Sequence, residues 1–311
     1  MNVLVTGGFG FIGCHVVHEL EKQGHDVTVT DTETTYGVMT HTYLAKLMVE
    51  RKKKIKTTKL YDIDITDMYM MRRLCMNGNF DAVIHLASYP RQKVVQHNPM
   101  QANKTMVQGT LNSLQAYAYG KIKRVVFISS SMVYGNFSSG VKEDAKCDPK
   151  GLYGIFKLTG EYIVKEMQDK FDYIIIRPSA VYGALDVEDR VVGKFFADAM
   201  NDRPLIVRGI SEMLDFTYVE DLANGIVAAT TNIGLINKTY NLTRGRAYSL
   251  LDAAHTVVDI VGKGKIEVIA KDDTFPSRGA LDITAAQKDF GYNPKVDVEE
   301  GFKLYHEWLQ I

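Results

Sequence analysis

A tyrosine and a lysine four residues apart are the residues of this sequence best suited to proton transfer. Tyr153 and Lys157 stand in the segment Tyr-Gly-Ile-Phe-Lys, and in a helix their side chains lie on one face. A free phenol has a pKa of about 10 and is a poor base at neutral pH. A neighbouring ammonium group favours the phenolate. The pair therefore predicts a general base, and the alternative is an ordinary amphipathic helix, because the spacing also arises by chance.

A glycine-rich turn at the N-terminus predicts a dinucleotide site. Val3–Thr6 has the pattern of a strand, and the segment Gly7–Gly13 leads from it into a helix. Gly7 permits the tight turn, Gly10 lets backbone N–H groups reach a pyrophosphate, and Gly13 allows the helix to pack closely on the strand. The N-terminus of that helix favours negative charge.

An acidic residue follows the next strand at the expected distance. Asp31 ends the run Val27–Thr30, about 20 residues beyond the turn. A carboxylate there hydrogen-bonds the adenosine ribose hydroxyls and repels a 2′-phosphate, and no Arg stands beside it. The sequence therefore predicts NAD rather than NADP as cofactor. The alternative is a solvated acid at a strand end.

The order of elements predicts how these residues are positioned. The first two-thirds of the chain alternates short apolar runs with amphipathic stretches, which is the pattern of βαβ units and a parallel sheet. Predicted strands span Val3–Thr6, Asp26–Thr30, Lys59–Tyr61, Ala82–His85, Arg124–Ser129 and Tyr173–Arg177. Predicted helices span Phe11–Gln23, Tyr69–Cys75, Met100–Tyr119 and Tyr153–Lys170.

The rhythm changes after Pro178, where Gly and Pro become frequent and we expect short helices. The prediction is therefore an α/β protein with a doubly wound parallel sheet of the Rossmann type. Residues 1–178 would form the NAD-binding domain, to which segments within about 215–243 return. Residues 179–311 would form mainly a smaller C-terminal substrate-binding lobe.

Composition and charge exclude several classes of protein. The chain has 311 residues, of which 46% are hydrophobic, so it can bury a large core. Lys plus Arg equals Asp plus Glu at 37 each, and this balance argues against a nucleic-acid partner. The one basic cluster, Glu50–Lys54, is predicted to be a solvated turn, with contact to an anion as the alternative.

Cellular location is predicted from what the sequence lacks. No apolar run approaches the length of about 18 residues that a membrane helix needs. The chain enters a strand directly from Met1, without the pattern of a signal peptide. Cys14, Cys75 and Cys147 have neither metal-ligand nor disulfide spacing, which suits free thiols in a reducing compartment. We therefore expect a cytoplasmic protein with no metal and no membrane partner.

Several segments, in the right order, resemble the extended short-chain dehydrogenase/reductase family in its NAD-dependent nucleotide-sugar epimerase/dehydratase branch. The Gly-x-x-Gly-x-x-Gly spacing and the Tyr-x-x-x-Lys pair carry the resemblance first. It continues in Arg177–Gly183, Asp215–Leu222, Arg278 and Phe290–Pro294, and so covers almost the whole chain.

The resemblance implies roles for the matched residues. Ser130, four residues before Tyr134, stands where the family's catalytic Ser or Thr lies and would hydrogen-bond the reacting hydroxyl. Tyr153 would be the base, favoured as phenolate by Lys157 and by an oxidised nicotinamide, whose ribose Lys157 would bind. The implied cofactor-binding residues are Gly7, Gly10, Phe11, Ile12, Gly13, Asp31, Asp64, Ile65, Leu86, Ala87, Ser88, Ser129, Tyr153 and Lys157.

The resemblance also implies residues that contact the substrate. The implied residues are Ser131, Met132, Arg208 and Arg278. The two arginines are the first cations expected to meet a sugar diphosphate, with Arg190, Arg244 and Arg246 also available. Asp62-Ile63 competes with Asp64-Ile65 as the pair that contacts the adenine, and His85, Tyr134 and Gly135 are predicted to be packing or turn residues.

The sequence also departs from the family pattern. Ala180 stands where many members carry Asn, Leu214 replaces a common Arg, and Met106 replaces a frequent Asn. The 4,6-dehydratases follow their catalytic Thr with an Asp and a Glu, for which this chain has Ser131 and Met132. A methionine cannot move a proton, which argues against 4,6-dehydration.

The predicted function is an NAD-dependent nucleotide-sugar epimerase, with C4 as the first choice, acting through a transient keto-sugar. The alternatives are an NAD-dependent nucleotide-sugar dehydrogenase or reductase, and a catalytically silent NAD-binding protein. The family resemblance further implies a homodimer that pairs through Met100–Tyr119 and Tyr153–Lys170.

Overall fold

Thirteen strands and twelve helices lie in the part of the chain that the structure describes. The structure is a computed structural model that describes residues 1–34, 36, 41–57 and 59–310, with 41 and 42 by backbone alone. The strands are β1 Asn2–Thr6, β2 Asp26–Asp31, β3 Leu60–Asp62, β4 Ala82–His85, β5 Arg124–Ile128, β6 Asp172–Arg177, β7 Val181–Tyr182, β8 Pro204–Arg208, β9 Met213–Leu214, β10 Thr217–Tyr218, β11 Lys238–Asn241, β12 Tyr248–Ser249 and β13 Lys265–Ile269. The helices are α1 Phe11–Lys22, α2 His41–Lys53, α3 Met68–Gly78, α4 Gln92–His97, α5 Pro99–Asn103, α6 Thr110–Tyr119, α7 Gly151–Glu166, α8 Val191–Met200, α9 Val219–Thr231, α10 Leu250–Val261, α11 Thr284–Phe290 and α12 Val298–Leu309.

Seven of these strands form one parallel sheet in the order β11-β6-β5-β4-β1-β2-β3. Alternate residues of β1 face opposite sides, so Val3 and Val5 join one core cluster and Leu4 joins the other. Helices cover both faces, which is why the inner strands are apolar throughout. The predicted doubly wound α/β fold is confirmed.

A third core lies outside the main sheet. It is rich in aromatic residues, among them Phe196, Phe216, Phe302 and Tyr305, and it joins α8, α10 and α12 to the parallel pair β8–β13. The chain returns to the main sheet twice, since α9 packs on α1 and β11 pairs with β6.

The expectation of short helices after Pro178 is wrong. The helix α9 has 13 residues, and α10 and α12 have 12 each, as many as α1. Glycine inside these helices serves packing rather than termination. A Cβ at Gly225 of α9 would lie 2.6 Å from the ring of Tyr292.

Two of the predicted helices differ more strongly from the structure than the others. Met100–Tyr119 is divided into α5, a π-helical turn over Lys104–Gly109, and α6. The 3.6-residue spacing of apolar residues does not register such a local widening. The helix α7 ends at Glu166 rather than at Lys170.

The basic cluster Glu50–Lys54 is not a solvated turn. Most of it belongs to α2, which was not predicted although Leu44, Leu47 and Met48 have the apolar spacing of a helix. Arg51 is only 6% exposed. The other basic residues of the cluster lie at the surface or are half-buried. The prediction of a solvated position is therefore wrong for Arg51, whose side chain extends to a neighbouring element.

Candidate active site

Two adjoining clefts open at the carboxyl ends of β1, β2, β4 and β5, where ligands bind in such sheets. The first cleft has a volume of about 310 Å³ and the second of about 480 Å³. Ser130, Tyr153 and Arg190 are among the residues that line both. The Tyr153 side chain therefore lies where the two clefts meet.

The first cleft brings together every residue predicted to bind the cofactor. It is lined by Gly7, Gly10, Phe11, Ile12, Gly13, Asp31, Asp64, Ile65, Leu86, Ala87, Ser88, Ser129, Tyr153 and Lys157. Of the two competing acids, Asp64 lies in this lining and Asp62 does not.

The glycine-rich turn has a geometry that side chains would block. Gly7 has a φ of +74°, and a Cβ at Gly13 would lie 2.1 Å from the Gly7 carbonyl oxygen. Helix α1 begins after Gly10, which provides no side-chain cap, and its first turn carries no acidic residue. The N–H groups and the positive end of the helix dipole can therefore serve a bound anion.

Asp31 braces this turn from the end of β2. Its Oδ2 accepts a hydrogen bond from the Phe9 N–H at 2.9 Å, and its Oδ1 accepts one from the Glu33 N–H at 2.9 Å. Burial raises the pKa of the carboxyl, and the backbone donors oppose that shift. The carboxylate is thus fixed in the lining of the first cleft.

The serine and tyrosine predicted to be catalytic meet at the boundary of the clefts. Burial raises the pKa of the Tyr153 phenol, while a hydrogen bond with Ser130 and the charge of Arg190 lower it. The Tyr153 N–H donates to Gln92 Oε1 at 3.2 Å, which fixes the start of α7. Among the described residues, Arg190 is the cation whose charge lowers the pKa of the phenol, whereas the sequence names it only among the candidates for a diphosphate contact.

Lys157 lies one turn further along α7 and is buried. Its Nζ donates to the Ile128 carbonyl oxygen at 2.7 Å. Burial lowers the pKa of Lys157 to about 7, and the charge of Glu161 opposes this shift. Its amino group is therefore held at the end of β5, inside the first cleft.

A buried ion pair supports α7 from behind. Glu161 accepts from Arg177 Nε at 2.9 Å and from a terminal nitrogen of Arg177 at 2.6 Å. The Ser129 hydroxyl donates to the same carboxylate at 2.5 Å, so it is already engaged. Sequence reasoning missed Glu161, although its position four residues after Lys157 on one helical face was the available signal.

The second cleft contains all four residues predicted to contact substrate, namely Ser131, Met132, Arg208 and Arg278. Seven cationic and five carboxylate side chains line it, an excess that suits an anionic ligand. Burial lowers the pKa of Arg278 to about 10, and its Nε has no hydrogen-bond partner among the described residues. Arg190 also lines the cleft, whereas Arg244 and Arg246 do not.

The departures from the family pattern have different structural meanings. Ala180 lines both clefts with a φ of +38°, a conformation that Asn tolerates better than other side chains. Leu214 lines the second cleft. Met106 is buried in a cluster with Tyr89 and Val94 and does not line either cleft.

The residues predicted to be structural are packed as expected. His85 is buried between the Thr6 hydroxyl and the Tyr117 hydroxyl, at 3.2 and 2.8 Å from its Nδ1. The Tyr134 hydroxyl donates to Asn241 Oδ1 at 2.8 Å. Among the residues with described positions, no group of three or more His, Cys, Asp or Glu could hold a metal ion. Over the same part of the chain, no helix is both long and apolar enough to cross a membrane.

The fold and the clefts are those of an α/β enzyme with a dinucleotide site, beside which a second cleft suits an anionic ligand. Residues 3–243 match the family described as the NAD dependent epimerase/dehydratase family, and the chain belongs to it. The predicted family and the predicted cofactor, NAD, are both confirmed. The glycine-rich turn and Asp31 fit that cofactor.

Several similar proteins are named as UDP-sugar 4-epimerases. UDP-glucuronate 4-epimerase of Thermodesulfobacterium geofontis is 28% identical over 98% of this chain and 95% of its own length. A UDP-glucuronic acid 4-epimerase from Bacillus cereus, solved in complex with UDP-glucuronic acid and NAD, has a TM-score of 0.90 at 26% identity. A UDP-glucose 4-epimerase from Thermotoga maritima, solved with UDP-glucose, has a TM-score of 0.89 at 26% identity. Each structural match covers 100% of this chain and 99% of the other.

The position of Asp31 predicts that NAD binds at least about tenfold more tightly than NADP. A 2′-phosphate would place its charge beside the fixed carboxylate, where burial limits screening by salt. Calorimetric titration of wild-type protein and of Asp31→Ser would measure this, and the variant should lose the preference. Asp26→Asn, at the exposed start of the same strand, is the control. Equal affinities of the wild type for NAD and NADP would reject the assignment.

Proposed function

We propose that this chain is a nucleotide-sugar 4-epimerase that takes a UDP-sugar or a close analogue. The observation that carries the proposal is the place of Tyr153, which lines both clefts beside Ser130. A proton acceptor there can serve a sugar in the second cleft while the reactive end of NAD lies in the first. The names of the similar proteins support the same reaction.

Each side chain has a separate role in the proposed reaction. Bound NAD supplies a nicotinamide that accepts a hydride and returns it. Tyr153 takes the proton of the C4 hydroxyl and later gives it back, and Ser130 hydrogen-bonds the same oxygen. Arg190 favours the phenolate, and Lys157 holds the nicotinamide ribose. The sugar must turn over between the two hydride transfers.

The diphosphate of the substrate is assigned to the cations of the second cleft. Arg278 is partly buried with a free Nε, so a phosphate oxygen would satisfy it. Arg208 ends β8 and lines the same cleft. Ser131, whose buried hydroxyl has no partner among the described residues, faces the sugar beside Met132.

Met132 favours epimerisation over dehydration. Its thioether lines the second cleft and cannot deliver the proton needed to eliminate water from C5 and C6. Hydride return is then the simplest fate of the keto-sugar, and the reaction is redox-neutral. A dehydrogenase with the same residues would instead release its oxidised product.

The experiment is incubation with UDP-, GDP-, dTDP- and CDP-sugars in deuterated water, followed by NMR and mass spectrometry. We expect two sugar nucleotides of equal mass to interconvert without added stoichiometric cofactor. No deuterium should enter carbon, because the migrating hydrogen stays with the nicotinamide. Accumulation of reduced cofactor would support the dehydrogenase instead, and a product lighter by one water would contradict the role given to Met132.

We further propose a cytoplasmic homodimer. Apolar side chains are exposed on α6 and α7, among them Leu111, Leu152 and Ile155 at 39%, 37% and 42%. Burial of such a face against a second copy would stabilise a symmetric dimer. Light scattering should give twice the mass of the chain, and Ile155→Glu should lower it. A monomeric wild type would refute the dimer.

A further inference from the structure

Arg51 is a buried cation that the reaction described above does not use. It lies near the end of α2, and its Nε and one terminal nitrogen both donate to the Leu185 carbonyl oxygen, at 3.1 and 2.8 Å. Its other terminal nitrogen is 3.4 Å from the Phe9 carbonyl oxygen. The guanidinium group therefore spans from the glycine-rich turn to the segment after β7.

These contacts do not neutralise the charge. Among the described residues, Arg51 forms no ion pair with a carboxylate. A charge removed from water without a counter-charge is costly, and buried charges are normally paired. A guanidinium has five N–H donors, of which the three contacts use three. One donor on each terminal nitrogen is left for a further acceptor.

The surroundings of Arg51 indicate which acceptor this is. Arg51 lines the first cleft together with Leu44 and Met48 of the same helix. Phe9, whose carbonyl it approaches, stands inside the turn that leads into α1. The ammonium of Lys52, the next residue, lies 4.9 Å from the centre of the Phe9 ring. Helix α2 thus covers the turn at which a dinucleotide presents its two phosphates.

We propose that Arg51 binds the diphosphate of NAD, so that α2 adds a side-chain cation to the backbone donors of α1. The two remaining N–H groups match phosphate oxygens, and the ligand supplies the direct ion-pair partner that Arg51 does not have among the described residues. The inference rests on the cofactor and on this cleft, and it is independent of which sugar reacts.

The test compares ligands with and without a diphosphate. Protein freed of bound nucleotide is titrated with NAD and ADP by calorimetry, and with adenosine by NMR, as wild type and as Arg51→Met. We expect Arg51→Met to weaken NAD and ADP by about 10- to 100-fold and adenosine by less than about twofold. Arg51→Lys should recover part of the loss, because it keeps the charge without the planar fork.

The control is Lys53→Met, which removes a charge from an exposed position of the same helix, where Lys53 pairs with Glu50 at 2.7 Å. It should change no affinity. Equal weakening of ADP and adenosine in Arg51→Met would show that Arg51 only holds α2 and the turn in place, and would overturn the proposal. Unchanged affinity for ADP would overturn it as well. Every measurement in this test is a binding affinity and none requires catalytic turnover. A failure of the proposed epimerase reaction can therefore be told apart from a failure of this inference.

Discussion

Replacing Tyr153 by Phe is expected to lower turnover by about 10²- to 10⁴-fold while leaving the affinity for NAD within about twofold. The substitution removes a single oxygen from a side chain on which the proposed proton transfer depends. The ring remains to fill its place between the clefts, and the glycine-rich turn is untouched. The pKa of the phenol is set by burial, by the hydrogen bond with Ser130 and by the charge of Arg190. Neither Ser130 nor Arg190 can replace the missing base.

The measurement is the initial rate of sugar-nucleotide interconversion, with NAD affinity determined by titration on the same preparation. Tyr69→Phe is the matched control, because Tyr69 is 71% exposed on α3 and lies outside both clefts. Its rate should equal that of the wild type. A Tyr153→Phe variant that keeps more than about a tenth of the wild-type rate would show that another group accepts the proton.

Replacing Glu161 by Gln should cost about 3–5 kcal/mol of the free energy of unfolding. Arg177 is 2% exposed, and its Nε and a terminal nitrogen both donate to the Glu161 carboxylate. Burial by itself would lower the pKa of Arg177, but the hydrogen bonds and charge of Glu161 raise it above its ordinary value. Without that carboxylate a guanidinium remains buried and uncompensated, and the single amide oxygen of Gln replaces two oxygens that accept from Ser129 and Arg177.

Urea unfolding at a fixed NAD concentration would measure the loss. Glu166→Gln is the same substitution at an exposed position of the same helix, and it should change stability by no more than about 0.5 kcal/mol. The double variant Glu161→Met with Arg177→Leu should recover much of the loss, because it removes both charges. If Glu161→Gln unfolds within about 1 kcal/mol of the wild type, the ion pair does not have the stabilising role given to it here.

The parts of this protein that the sequence determined are those whose physical cause is local. Strand and helix periodicity, the turn at Gly7–Gly13 and the acid at Asp31 each depend on neighbours along the chain. Parallel strands that are apolar on both faces then require helices on both sides. The order of the motifs along the chain predicts that they lie together, because ligands bind at the carboxyl ends of such strands. Every predicted cofactor residue accordingly lines one cleft.

Only the tertiary structure decided which charged groups act on one another. Arg51, in a run that was predicted to be solvated, extends from α2 to two backbone carbonyls, and the charge of Arg190 acts on Tyr153 although the two are 37 positions apart along the chain. Glu161 finds its counter-charge on a strand, Arg177. Coulomb energies and desolvation depend on distance in space and on burial, and neither is encoded in local spacing. For this reason the sequence located the site, but the packing of α2, α7 and the segment after β7 set its electrostatics.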